Sequence, residues 1–119
     1  AWMVAGGVGL APFATLAEAL VALEVPTTLF YGARTGEELY YLEFFERLGI
    51  DLVLTTEDGS LGTKGRITAP LEASLQALAG PGLTTIYACG PEPMLAAVAK
   101  LAARYGQPSE VSMERTMGC

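Results

Sequence analysis

Apolar positions along this chain fall into short runs of strand length, separated by stretches in which they recur every three or four residues. Trp2-Met3-Val4-Ala5 is the first run. Behind it Phe13, Leu16, Leu20 and Leu23 stand at i, i+3, i+7 and i+10, the spacing of one helix face. Thr27 to Gly32, introduced by Pro26, predicts a second strand. From about Glu37 a second helix is expected, with Tyr41, Leu42, Phe45 and Leu48 on its apolar face and Glu43, Glu46 and Arg47 opposite. Gly49 sits where a helix stop is wanted. Asp51 to Thr55 predicts a third strand. The next helix is marked by Leu71, Leu75 and Leu78, with Thr68 as its expected cap and Gly80-Pro81-Gly82 as its end. Thr84 to Ala88 predicts the fourth strand and Glu110 to Glu114 the last. Between them a helix carries Met94, Val98, Leu101 and Tyr105 inward and Lys100 and Arg104 outward.

Strand and helix in alternation predict an α/β fold, a doubly wound five-stranded parallel sheet with helices on both faces and right-handed crossovers. With strand order 3-2-1-4-5, the first and fourth strands are neighbours whose helices leave to opposite faces. That arrangement opens a crevice at their carboxyl ends. Two glycine–proline loops would meet there, Gly6-Gly7-Val8-Gly9-Leu10-Ala11-Pro12 and Cys89-Gly90-Pro91-Glu92-Pro93-Met94. In the first, unhindered backbone N–H groups and a helix N-terminus suit a phosphate. Pro12 fits the first helical turn, where its missing N–H removes nothing. The spacing is Gly-x-Gly-x-x-Pro, not the commoner Gly-x-Gly-x-x-Gly, and a tight strand-to-helix turn needs glycine even where nothing binds. A third loop, 56–66, is polar, glycine-rich and long for such a connection, and long loops are where function tends to sit.

Composition narrows the classes. The 119 residues suit one domain, and 51% hydrophobic with 17% charged residues describes a globular chain. A net charge of −6 without a basic cluster argues against nucleic acid or an anionic membrane as partner. No apolar run reaches about 18 residues, so no membrane-spanning helix is expected. With no His, no zinc spacing and no Walker motif, hydrolysis and phosphoryl transfer have nothing to rest on. Two cysteines in a chain expected to be cytoplasmic do not suggest a disulfide framework. The start at Ala1-Trp2 and the end at Met117-Gly118-Cys119 both read as cut, so an ordered portion of a longer protein is expected.

Gly-Gly-x-Gly-x-x-Pro after the first strand, with Cys-Gly-Pro-x-x-Met after the fourth, resembles the nicotinamide-nucleotide domain of the ferredoxin–NAD(P) reductase superfamily. The resemblance covers the whole chain. Tyr31-Gly32-Ala33-Arg34-Thr35, Thr56-Glu57-Asp58-Gly59-Ser60 and Lys64-Gly65-Arg66 look like one branch, the electron-transfer subunits of dihydroorotate dehydrogenase B. The ending Met113-Glu114-Arg115-Thr116-Met117-Gly118-Cys119 points the same way. It implies residues 1–114 as a nicotinamide-nucleotide-binding domain and 115–119 as the start of a truncated iron–sulfur segment. The implied cofactors are NAD, an FAD whose domain precedes residue 1, and a 2Fe-2S cluster. The implied partner is a catalytic FMN-containing dihydroorotate dehydrogenase subunit in a heterotetramer serving pyrimidine biosynthesis. A plant-type cluster needs four cysteines, and Cys119 would supply only the first.

What the resemblance implies for single residues stands beside a plainer reading of each. Gly6, Gly7, Val8, Gly9 and Pro12, with Gly90 and Pro91, would contact the dinucleotide. Cys89, the candidate catalytic residue, would sit near the nicotinamide and help position its hydride-bearing carbon; it is otherwise a plain buried thiol. Met94 reads as core. Arg34, with Thr35 beside it, either contacts the dinucleotide or the flavin domain or is a surface charge. Glu57 and Asp58 would repel a 2′-phosphate and suit a ribose hydroxyl, which favours NAD, while Lys64 and Arg66 could fold back over the same loop. Cys119 is either a cluster ligand or an end cysteine of no role. Two other readings stay open: a reductase subunit feeding ferredoxin, sulfide or hydrogen chemistry, and a module that senses a dinucleotide without turnover.

Overall fold

A computed structural model describes residues 1–6, 11–36, 42–78, 80, 82, 84–90 and 92–113, the side chains of 11, 12, 14, 42 and 111–113 excepted. In chain order the elements are β1 (Trp2–Gly6), α1 (Ala11–Ala22), β2 (Thr28–Ala33), α2 (Leu42–Leu48), β3 (Asp51–Thr56), β4 (Thr63–Lys64), α3 (Thr68–Gln76), β5 (Ile86–Gly90), α4 (Glu92–Arg104) and β6 (Ser109–Met113). The strands form one sheet in the order β4-β3-β2-β1-β5-β6, and every pairing is parallel.

The sheet has six strands where the sequence pattern predicts five. The addition is β4, two residues of the 56–66 loop that pair Thr63 with Thr55 and Lys64 with Thr56. The remaining order is the expected one, with β1 between β2 and β5. Two exposed polar residues carry no alternation, so nothing in the pattern announces such a strand.

Central strands of a parallel sheet are covered on both faces and therefore read as continuous apolar runs. On one face Met3, Ala5, Leu29, Tyr31 and Cys89 pack with Phe13 and Ala17 of α1 and Phe45 of α2. On the other, Val4, Phe30, Ile86 and Ala88 pack with Ile67, with Leu71 and Leu75 of α3, and with Leu95, Val98 and Ala102 of α4. Side chains from successive strand positions alternate between the two faces. The helix after β1 and the helix after β5 therefore lie on opposite sides of the sheet.

Helix boundaries follow from their caps, with three differences from the sequence pattern. Leu23, expected on the inner face of α1, is 74% exposed, because the helix ends at Ala22 and the chain turns outward. The Val25 N–H donates to the Leu20 carbonyl at 2.9 Å and the Glu24 N–H to the Val21 carbonyl at 3.0 Å, with Glu24 at φ +59°. This is the Schellman arrangement, whose left-handed residue is usually glycine. The end of α4 repeats it with glycine in place: Gln107 N–H to Ala102 at 2.9 Å, Gly106 N–H to Ala103 at 3.2 Å, and Gly106 at φ +71°. Thr68 does not cap α3; it is the first helical residue, and Ile67 occupies the cap position without a side-chain bond. The inner stripe of α4 centres on Leu95, Val98 and Ala102, with Met94, Leu101 and Tyr105 packed beside it. Gly49 ends α2 as expected, at φ +76° with its N–H on the Glu46 carbonyl. The expected first turn of that helix, from Glu37 to Tyr41, lies outside the described residues. The last strand starts at Ser109, one residue earlier than predicted.

Candidate functional site

All strands being parallel, their carboxyl ends share one edge of the sheet. Adjacent strands lie about 4.8 Å apart, so the ends of β5, β1, β2 and β3 span about 14 Å. β1 and β5 pair directly, with Ala5 opposite Cys89. The next residues, Gly6 and Gly90, end the two strands side by side. A Cβ on Gly90 would come within 3.2 Å of the Gly6 carbonyl oxygen, 3.3 Å of the Gly6 nitrogen and 2.8 Å of the Met94 methyl. Glycine at Gly90 is what lets the two backbones and the start of α4 meet this closely.

Gly32 pairs with Gly6 on one side and Thr55 on the other. A Cβ there would reach 2.9 Å from the Ile67 Cβ and 3.0 Å from the Thr55 Oγ1. Gly90, Gly6 and Gly32 thus leave one row of three adjacent strands without side chains, the last row of β5 and β1 and the row before Ala33 on β2. At its end stands Thr55, 1% exposed, whose hydroxyl has no hydrogen-bond partner among the described residues.

Past the strand ends, two segments are tied together. The Glu57 N–H donates to the Ala33 carbonyl at 3.0 Å and the Asp58 N–H to the Arg34 carbonyl at 3.1 Å. Asp58 Oδ1 accepts from the Ser60 N–H at 2.9 Å and from its hydroxyl at 2.7 Å. These bonds hold the Asp58 carboxyl below its ordinary value. The Ser60 Oγ in turn accepts from the Gly36 N–H at 2.7 Å. The Lys64 stem lies against Gly59 at the tip of this turn.

The edge therefore brings Gly6 together with Gly90, and Arg34 and Thr35 together with Glu57 and Asp58. Cys89 is 1% exposed, its side chain in the cluster beneath α1 and α2. Met94 packs against the core on the α4 side, as expected. Pro12 lies in the first turn of α1. Gly7, Val8, Gly9, Pro91 and Cys119 lie outside the described residues. Among the described residues no group of three or more His, Cys, Asp or Glu side chains could hold a metal ion. Among them, too, no helix is long and apolar enough to cross a membrane. The sequence reading gave no role to Gly32, Gly36 or Ser60. A signal existed only for the turn, since Asp58 in a glycine-rich polar loop can close an Asx-turn on the N–H two residues on, that of Ser60.

Residues 3–100 match the family described as the oxidoreductase NAD-binding domain. This chain belongs to that family. The domain is 40% identical over 116 residues to a Methanocaldococcus jannaschii protein named a probable dihydroorotate dehydrogenase B (NAD(+)), electron transfer subunit, covering 98% of this chain and 44% of that protein. The subunit of that name from Bacillus caldolyticus is 39% identical, over 100% of this chain and 43% of its own length. The domain thus spans less than half the length of the curated relatives it matches. Among solved structures, the NADH-dependent reduced ferredoxin–NADP oxidoreductase superimposes with a TM-score of 0.72 at 31% identity, over 93% of this chain and 39% of the other. The C-terminal domain of a Pyrococcus furiosus hydrogenase shares the fold, with a TM-score of 0.70 at 12% identity, over 93% of this chain and 88% of that one.

Proposed function

We propose that this domain binds NAD(H) across the carboxyl edge of its sheet and presents the nicotinamide to a flavin held outside these 119 residues. The observation that carries the reading is the contact between Gly6 and Gly90, ends of adjacent parallel strands whose helices lie on opposite faces. In this reading Gly6, Gly7, Val8, Gly9 and Pro12 bring backbone N–H groups to the pyrophosphate. Cys89, Gly90 and Pro91 border the nicotinamide, with Cys89 as a positioning group and not a nucleophile. Arg34, Thr35, Glu57 and Asp58 receive the adenosine ribose, where carboxylates favour a hydroxyl over a 2′-phosphate.

When bound, the nicotinamide supplies a hydride at C4, and the domain's work is to orient that carbon and leave the flavin's approach open. The names of the relatives support an electron-transfer subunit acting with a catalytic dihydroorotate dehydrogenase subunit. The heterotetramer, the FMN of the catalytic subunit, pyrimidine biosynthesis and a cytoplasmic setting belong to that same proposal. FAD would belong to a part of the protein beyond this chain. Two cysteines do not fit a four-cysteine cluster, so a 2Fe-2S centre could draw only one ligand, Cys119, from here. Titrating the chain with NADH and NADPH tests the reading. NADH should bind at least about tenfold tighter, roughly 1.4 kcal/mol, and Glu57→Arg should narrow the gap. Absence of NADH binding overturns the proposal, and equal affinities overturn its ribose assignment.

A further inference from the structure

We infer that Ser60 is a positioning residue for the adenosine side of the dinucleotide site, fastening the β3–β4 loop to the segment after β2. This rests on the NAD(H)-binding reading above. The Glu57 and Asp58 N–H bonds to Ala33 and Arg34 carry the β2–β3 pairing just past the strand ends. Beyond them the loop must turn back or leave the edge. The Ser60 hydroxyl turns it back, donating to Asp58 Oδ1 and accepting from the Gly36 N–H, each at 2.7 Å. Behind it the Thr56 hydroxyl, buried, donates to the Leu61 carbonyl at 2.8 Å and accepts from the Leu61 N–H at 3.3 Å. Residues 57–60 are held from both sides. Gly36 allows the approach, since a Cβ there would lie 2.9 Å from the Leu61 Cβ and 3.3 Å from the Ser60 Oγ.

The two acidic residues consequently have different work. Asp58 Oδ1 already takes two hydrogen bonds from Ser60 and holds the turn. Glu57 is exposed, and among the described residues its carboxylate has no partner. Ribose selection then falls to Glu57, at a position Ser60 sets without touching the ligand.

The test uses calorimetric titration of the chain with NADH and with ADP-ribose, which keeps the adenosine half and lacks nicotinamide. Ser60→Ala should weaken both ligands by the same factor, about fivefold, with the melting temperature unchanged and the Gly36 amide exchanging faster. Ser60→Thr, which keeps the hydroxyl, should restore affinity and protection. Unchanged NADH affinity in Ser60→Ala overturns the inference, as does ADP-ribose binding that is unaffected or absent while NADH binds. Joint loss of stability and affinity that threonine does not restore means a structural role and also overturns it. A parent chain that binds no NADH overturns the function itself, a result distinct from all of these.

Discussion

Gly90 and Gly6 approach so closely that a Cβ on the first would press on both the carbonyl oxygen and the nitrogen of the second, at 3.2 and 3.3 Å. The contact joins the two strands between which the doubly wound sheet changes direction. Gly90→Ala should cost about 1–3 kcal/mol in urea unfolding, because the paired backbones must part. Met94 can swing its methyl away, so adding Met94→Ala should recover only part of that cost. Full recovery would mean that the Met94 contact, not the meeting of strands, makes glycine necessary.

The ends of α1 and α4 share one cap geometry, with Glu24 in the left-handed position of the first and Gly106 in that of the second. A residue with a Cβ pays about 1–2 kcal/mol in that conformation, part of which glycine gives back through its freer unfolded chain. Glu24→Gly should therefore stabilise by about 0.5–1 kcal/mol and raise the melting temperature by a few degrees. A lower melting temperature would show that the Glu24 side chain contributes more than its backbone costs.

Thr55 buries a hydroxyl that bonds to nothing among the described residues, which costs about 1–3 kcal/mol. Thr55→Val keeps the branched shape and removes the polar atom. It should leave stability unchanged or raise it by about 1 kcal/mol, with NADH affinity as in the parent. A loss above about 1 kcal/mol in chemical unfolding would contradict this account of the packing beside Gly32.

Much of this architecture is legible before any coordinates. The apolar runs of β1, β2, β3 and β5 are long enough to read because both faces are covered. The neighbouring of β1 and β5 is expected only on the doubly wound strand order, in which the two glycine–proline loops meet, and the sheet has it. β4 is not legible, since two polar residues pair only because the loop returns to Thr55 and Thr56. Leu23 keeps helical spacing yet lies outside, because a cap, not a period, ends α1. The acidic pair Glu57 and Asp58 is visible in sequence as charge. Its division of labour is not, because that depends on the Gly36 N–H, 24 residues from Ser60.

Asp58 carries a lowered pKa because Ser60 donates to its charged form first through the hydroxyl and then through the backbone. The turn's contribution is then complete above the ordinary value of about 3.8 and is lost as pH falls through the lower, folded value. The Ser60 amide shift should stay constant from pH 8 to pH 5 and titrate with a midpoint below about 3.8. A midpoint above that value would contradict the bonding at Asp58.

The central claim is that one edge of the sheet receives the dinucleotide, and amide chemical-shift mapping during titration with NADH addresses it most directly. The account predicts shifts at Gly6, Gly90, Arg34 to Gly36 and Glu57 to Ser60, all at the carboxyl edge. Leu23 to Val25 and Gly106 to Gln107, beyond the other ends of the strands, should stay still. Shifts confined to those amino-edge residues, or none at saturating NADH, would contradict it.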